Sequence, residues 1–203
     1  MESQLLLPAC YLPPISYFHV IQENNLPVVI EKYEHFQKQS YRTRARIASA
    51  NGVQDLIVPI KHGNKDRIPM KDIRISYEFD WQRLHWLSIQ TAYRSSAYFE
   101  YYEDDFSHFY NEKFDYLLDF NMAQLELLFK LVKLNRTLSF TEEYRPSEPG
   151  SPDYRDCIHP KKESILTSPK EYYQVFSDKN GFHSDLSIVD LLFNQGPQSR
   201  SYL

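Results

Sequence analysis

Gln4-Leu5-Leu6-Leu7, Pro13-Pro14-Ile15-Ser16-Tyr17-Phe18 and Val28-Val29-Ile30-Glu31 follow one another inside residues 4–31. The first run is short and wholly apolar after its glutamine, as a buried strand requires. The proline pair opens a helix, because proline fixes φ and lacks an N–H that the first helical turn would leave unpaired anyway. Ile15, Phe18, Ile21 and Gln22 recur at helical spacing until Pro27 ends the run. The third run is β-branched, with a carboxylate at its end. Strand, helix and strand at this spacing predict a parallel βαβ unit with a right-handed crossover. The expected fold class is therefore α/β.

Further along, Asn51-Gly52 is a hairpin turn signal, and it predicts that residues 41–47 and 56–60 are the two arms of a hairpin. A polar loop over residues 62–67 follows. Ile73, Ile75, Tyr77 and Phe79 then alternate with Arg74, Ser76 and Glu78, the pattern of a half-buried strand. Asp80 is placed to cap a helix from Trp81, with Leu84, Leu87 or Ser88, and Ala92 on its inner side. Phe99, Tyr102, Phe106, Phe109, Tyr110, Lys113 and Phe114 fit a second helix whose wet side carries Glu100, Glu103, Asp104 and Asp105. Asn121 and Gln124 resemble a capping box ahead of Leu125, Leu128, Phe129 and Val132. Residues 142–153, with Pro146, Pro149, Gly150 and Pro152, read as a surface loop leading to a C-terminal arm. In that arm residues 172–176 suit a strand, and Asp185-Leu186-Ser187 starts a last helix that runs through Asn194 to Gly196-Pro197. The expectation is one α/β domain with a mixed sheet, several C-terminal helices and an extended arm.

With 203 residues and 42% hydrophobic content, one sizeable core is affordable. The longest apolar runs, residues 5–7 and 191–193, fall far short of the ~20 residues of a membrane span. Met1-Glu2-Ser3-Gln4 lacks the basic start of a signal peptide, so a cytoplasmic protein is expected. Cys10 and Cys157 are the two cysteines, far apart and outside any CxxC pattern, and are read as free thiols. The histidines show no metal-ligand spacing, and nothing in the sequence points to a particular cofactor. A formal charge of -4 makes nucleic acid the least favoured partner.

Several constellations carry chemistry. Tyr11 and Tyr17 flank the turn after the first strand, where an open α/β sheet meets ligands and a helix start offers N–H groups to an anion. Arg42, Arg44 and Arg46 alternate beside Tyr41 and would line one strand face. Guanidiniums so placed need anions opposite them. The anion is either a phosphorylated or carboxylated ligand, or the chain's own Glu31, Glu34 or acidic helix. Lys38 adds a point charge or an acid–base group. His85 lies one helical turn from Asp80, as a general base or as a packing residue. Residues 153–162 gather Asp153, Arg155, Asp156, Cys157, His159, Lys161 and Lys162. That segment is read as a Cys157–His159 nucleophilic pair, as substrate contacts by His159 and Lys161, or as a loop ion network. Asp190 sits among apolar neighbours and needs a partner, for which an arginine from residues 42–46 is expected.

Taken in order, Tyr11-Leu12-Pro13 with Tyr17-Phe18, Lys38, Ser40-Tyr41-Arg42 with Arg44, Val58-Pro59-Ile60, Trp81 with His85, and the run from Asp185 to Gly196-Pro197 resemble the WbqC-like protein family over nearly the whole chain. The family usually has Gln-Pro-Asn before Tyr-Leu-Pro and Trp and Gly after it. Here Pro8-Ala9-Cys10 precedes, Pro14 and Ser16 follow, and Thr43 replaces a family asparagine. These departures, with Glu31, Asp153, Arg155, His159 and Lys161, are similar to the branch found in Bacteroides-like bacteria, and Glu31 and Arg155 thereby join the candidate substrate contacts. The resemblance implies a bacterial cytosolic protein encoded, in some members, among surface-polysaccharide (O-antigen) genes, with a glycine or other aminoacyl-type transferase role. Two functions follow. One is a transferase of an acyl, aminoacyl or sugar-linked group, with the arginines holding an anionic substrate and His85 or Lys38 handling a proton. The other is a noncatalytic module that engages a protein partner through its Tyr-rich surface and C-terminal arm.

Overall fold

Strands β1 (Leu5–Pro8) and β2 (Val28–Glu31) pair in parallel, Leu5 opposite Val28 and Pro8 opposite Glu31, and helix α1 (Ile15–Glu23) connects them. Every residue of both strands is buried, which is why each reads as an unbroken apolar run instead of an alternating one. This computed structural model describes residues 3–61, 67–147 and 150–203. Residues 1–2, the expected polar loop over residues 62–66, and residues 148–149 lie outside the described residues.

Strands β3 (Arg44–Ser49) and β4 (Gly52–Ile57) form the expected hairpin about Asn51-Gly52. Gly52 has φ +103°, a conformation that side chains with a Cβ rarely adopt. The first arm starts at Arg44, because residues 41–43 form a turn, and the second runs from Gly52 to Ile57 instead of over the expected residues 56–60. A strand not anticipated, β5 (Leu138–Phe140), pairs in parallel with β2 on the side away from β1. Parallel and antiparallel pairing are thus both present, distributed over a three-stranded sheet and the hairpin.

The strand expected through Ile73 and Ile75 is replaced by isolated bridges, Ile60 to Ile75 and Arg74 to Tyr116, after a 3₁₀ turn at Met70–Asp72. Burial follows the expected alternation only at Ile73, Arg74 and Ile75, for Ser76 is buried and Phe79 is 55% exposed. Three helices follow, α2 (Trp81–Tyr93), α3 (Phe99–Asn111) and α4 (Leu117–Leu131). On α2 the buried residues include Trp81, His85, Ile89 and Ala92, while Leu84 and Leu87 are half exposed, against expectation. The inner place goes to the larger rings: Trp81 packs on Phe120 at 5.7 Å between centroids and on His85 at 5.0 Å. Asp80 precedes α2 but its side chain makes no capping bond.

Helix α4 begins before Asn121 and Gln124, so neither caps it. Asn121 instead donates from Nδ2 to the carbonyls of Ala9 (3.0 Å) and Arg42 (2.8 Å), clamping the turn after β1 to the segment ahead of β3. The arm carries a short α5 (Ser177–Asn180) and the expected last helix α6 (Ile188–Gln195); residues 172–176 form no strand. Leu12 takes φ +37°, costly for a branched side chain. It is held there because its carbonyl accepts from Ser187 Oγ at 2.8 Å while the Pro13 carbonyl accepts from Ile188 N–H at 2.9 Å. The end of α6 needs Gly196, where a Cβ would meet the Tyr98 ring at 2.5 Å.

Asn121→Ala leaves two interior carbonyls without that amide and should lower the unfolding free energy by about 2–4 kcal/mol. Urea denaturation followed by far-UV circular dichroism measures it. A loss below about 0.5 kcal/mol, the scale of an ordinary surface substitution, would mean that the clamp contributes nothing.

Candidate functional site

The end of β2 carries a carboxylate that is fully buried. Glu31 accepts from Tyr33 N–H (2.7 Å), Thr141 Oγ1 (2.8 Å), Arg145 N–H (3.1 Å) and Arg155 Nη1 (3.4 Å). Arg155 also grips Asp153 with Nε at 2.9 Å and Nη2 at 2.6 Å. Burial works to raise the Asp153 carboxyl, but the hydrogen bonds and charge of Arg155 prevail and hold it below its usual value. Arg42, itself fully buried, binds Glu34 bidentately at 2.7 and 2.6 Å and reaches the Arg155 carbonyl at 3.4 Å. Glu31, Arg42 and Arg155 therefore belong to one internal ion network.

The expected row of three arginines is broken by this arrangement, since Arg42 sits in the turn ahead of β3. Arg44 and Arg46 share Asp55, at 2.9 and 3.5 Å, the residue paired with Arg46 across the hairpin. Asp190 also departs from expectation, for its partners are not arginines. It accepts from Tyr93 Oη (2.9 Å), Tyr172 Oη (2.5 Å) and Gln174 Nε2 (2.8 Å), and burial raises its carboxyl above the usual range. Neutral hydroxyl and amide donors suffice at this depth, and they tie the arm to α2.

His85 accepts at Nδ1 from Tyr11 Oη at 3.0 Å and does not meet Asp80. Burial pushes its pKa down to about 4, opposed by a hydrogen bond to the Ile57 carbonyl. It is a neutral packing imidazole at physiological pH. Tyr11 also bonds Tyr110 Oη at 3.0 Å, and Tyr17 donates to the Pro8 carbonyl at 3.0 Å. Lys38 is exposed in the turn ahead of the hairpin. Cys10 is buried, and its thiol is pushed up to about 12 by burial.

Three of the expected residues do converge. Tyr41, Arg46 and His159 line a cavity of about 100 Å³, together with Ser16, Cys157, Lys162 and Asp185. The hairpin and the start of α1 form one wall, and the arm forms the other. Arg46 Nη2 donates to the Pro160 carbonyl at 2.9 Å, which draws the walls together. The anion expected at the α1 N-terminus is the chain's own Asp185, which accepts from Ser16 N–H at 2.8 Å and from Ser164 Oγ at 2.5 Å.

His159 Nδ1 accepts from Lys161 N–H at 3.1 Å, so its proton is carried on Nε2. Burial lowers the His159 pKa, and the charges of Lys162, Arg42, Lys161 and Arg44 add to the effect, the mark of a positive local field. The Lys161 ammonium is turned away onto Gln39, whereas Lys162 has no hydrogen-bond or ion-pair partner among the described residues. Lys162 and Asp185 were not singled out by sequence as cavity residues. The lysine pair after Pro160 was visible, but only the fold decides which of the two, both exposed, lines the cavity.

Residues 9–157 match the WbqC-like protein family. The chain belongs to that family. A relative named "Uncharacterized protein Rv1507c", from Mycobacterium tuberculosis (strain ATCC 25618 / H37Rv), is 22% identical over 228 aligned positions, covering 100% of this chain and 98% of the relative. No solved structure matches. The span matched by the WbqC-like family includes Tyr41, Arg46 and Cys157, while His159, Lys162 and Asp185 lie beyond it. No described helix is long and apolar enough to cross a membrane.

The His85 ring should titrate near pH 4, as followed by NMR. Its folded pKa lies below the unfolded value of 6.5, so the stability tied to it is present above pH 6.5 and is lost as pH falls toward 4. Urea denaturation between pH 7 and 4 should show that decline, and His85→Gln should flatten it. A His85 titration near 6.5 would contradict the packing role.

Proposed function

We propose that this WbqC-like protein is a transferase that holds a small anionic substrate in the cleft between hairpin and arm and transfers an acyl, aminoacyl or sugar-linked group. The convergence of Tyr41, Arg46 and His159 with Lys162 on one cavity supports this reading. Arginine and lysine are donors only, and with a hydroxyl and an imidazole N–H they favour an acceptor-rich, negative group. A cavity of about 100 Å³ encloses a headgroup, well short of the ~300 Å³ or more of a pocket for a whole drug-sized ligand. The group to be transferred therefore lies outside, along the arm.

Arg44 and Lys161 do not line the cavity, but their charges are felt at His159. Lys38 is the proton-handling candidate that remains near it, because Gln37 bonds Asp156 at 2.9 Å and Gln39 meets Lys161, laying the 37–40 turn against the arm. His85 is assigned no proton transfer. Surface-polysaccharide assembly in a bacterial cytoplasm, the setting that the resemblance implies, is part of the same proposal.

A second reading, a noncatalytic binding module, is favoured by one observation: Arg42 and His85 spend their polar groups on the protein itself, and Arg44 gives Nη1 to Asp55, with its Nε left unpartnered. Native mass spectrometry of the purified protein separates the two. The transferase reading expects a co-purifying small anion, such as a nucleotide sugar or an aminoacyl carrier, that Arg46→Ala weakens by about tenfold or more, the worth of a charge-assisted contact. A stable protein partner retained by Arg46→Ala, with no small molecule bound, would replace it with the module.

A further inference from the structure

We infer that the cleft is a phosphoryl subsite, in which Tyr41 Oη, Arg46, His159 Nε2 and Lys162 Nζ receive the phosphate monoester end of the substrate. The inference rests on the preceding reading that this cleft is the substrate site, and it narrows the anion to one chemistry.

Tyr41 carries the first part of the argument. Its side chain is only 5% exposed, it lines the cavity, and its hydroxyl has no hydrogen-bond partner among the described residues. The ring is packed but the hydroxyl is not among the buried unpartnered atoms, so it opens onto the cavity, where a ligand can take its hydrogen bond. Burial, partly opposed by Arg46, pushes the phenol to about 12, so it remains a donor at neutral pH. His159 is held in the tautomer that leaves Nε2–H as its free donor. Lys162 has no internal acceptor, and Arg46 commits Nε to Asp55 and one N–H of Nη2 to Pro160, leaving Nη1.

The acids at this cavity do not cancel those donors. Asp185 accepts from the neutral donors Ser16 N–H and Ser164 Oγ and keeps its charge, and Glu163 lines the cavity from an exposed position, but neither is bonded to Tyr41, Arg46, His159 or Lys162, whose donors stay available. Four side chains with donors to spare thus surround a space of about 100 Å³. A carboxylate brings two oxygens and one charge. A phosphate monoester brings three terminal oxygens, one more acceptor than a carboxylate offers these four donors, and a charge of about −1.5 to −2 for Arg46 and Lys162 to face.

The test uses the full chain and follows the His159 ring by NMR during titration with inorganic phosphate, methyl phosphate, acetate and glycine. Both phosphates should shift the ring saturably and raise its pKa, and acetate and glycine should bind at least about tenfold more weakly. Tyr41→Phe and Lys162→Met, both checked for unchanged circular dichroism, should each weaken phosphate by about tenfold. Acetate or glycine binding as tightly as phosphate would overturn the phosphoryl assignment and leave the anion cleft standing. Phosphate binding undiminished in both variants would place it elsewhere and overturn the assignment too. If none of the four probes moves His159, this inference and the transferase cleft fall together.

Discussion

Arg155 lies between Asp153 and Glu31, and Arg42 lies between Glu34 and the Arg155 carbonyl; the remainder of the architecture depends on this buried ion network. Taking these charges out of water costs several kcal/mol each, and only close, bidentate geometry offsets it. That geometry exists only when three pieces meet: the end of β2, the turn ahead of β3 and the start of the C-terminal arm. The network thus acts as a register pin. It fixes where the arm crosses the parallel sheet, and Tyr154 N–H then donates to the Leu6 carbonyl at 2.9 Å beside β1.

The cleft is a consequence of that crossing. Once Arg155 is seated, residues 157–162 pass the hairpin, and Pro160 offers its carbonyl to Arg46. The deeper guanidiniums are neutralised inside and Arg46 shares Asp55 with Arg44, so Lys162 is the lysine or arginine lining the cleft that has no acid partner among the described residues. Ser187 and Asp190 close the other end of the arm against the turn after β1 and against α2. A structural network and a binding surface therefore share one strip of chain without sharing side chains. Removing Arg155 and removing Lys162 should have different consequences, the first for docking and the second for ligand alone.

Much of the fold was legible because it is written in local periodicity and turn chemistry. The βαβ opening, the Asn51-Gly52 hairpin, the aromatic stripe from Phe99 and the stop at Gly196 need only neighbouring residues to be read. The misreadings share a cause. Asn121 and Gln124 have the residue types of a cap, and sequence does not reveal that Ala9 and Arg42 will present carbonyls to Asn121 across the core. Leu84 looks more core-like than His85 until Tyr11 and Trp81 are seen to enclose the imidazole. Three-residue β5 is too short for alternation to register. In the site, Tyr41, Arg46 and His159 were nameable as residue types suited to an anion. That Arg42 would spend its charge on Glu34, that Asp190 would take tyrosines, and that Asp185 would fill the helix start are long-range facts that no spacing encodes.

If the buried ion network docks the arm and thereby builds the cleft, removing its shared guanidinium should release residues 154–162. Hydrogen–deuterium exchange on the wild type and on Arg155→Met tests it most directly, read at the amides of Tyr154, Ile158 and Lys162, which donate to Leu6, Tyr154 and His159. Protection at all three should collapse in the variant while the amides of α4 stay protected. Undiminished protection across residues 154–162 would contradict it.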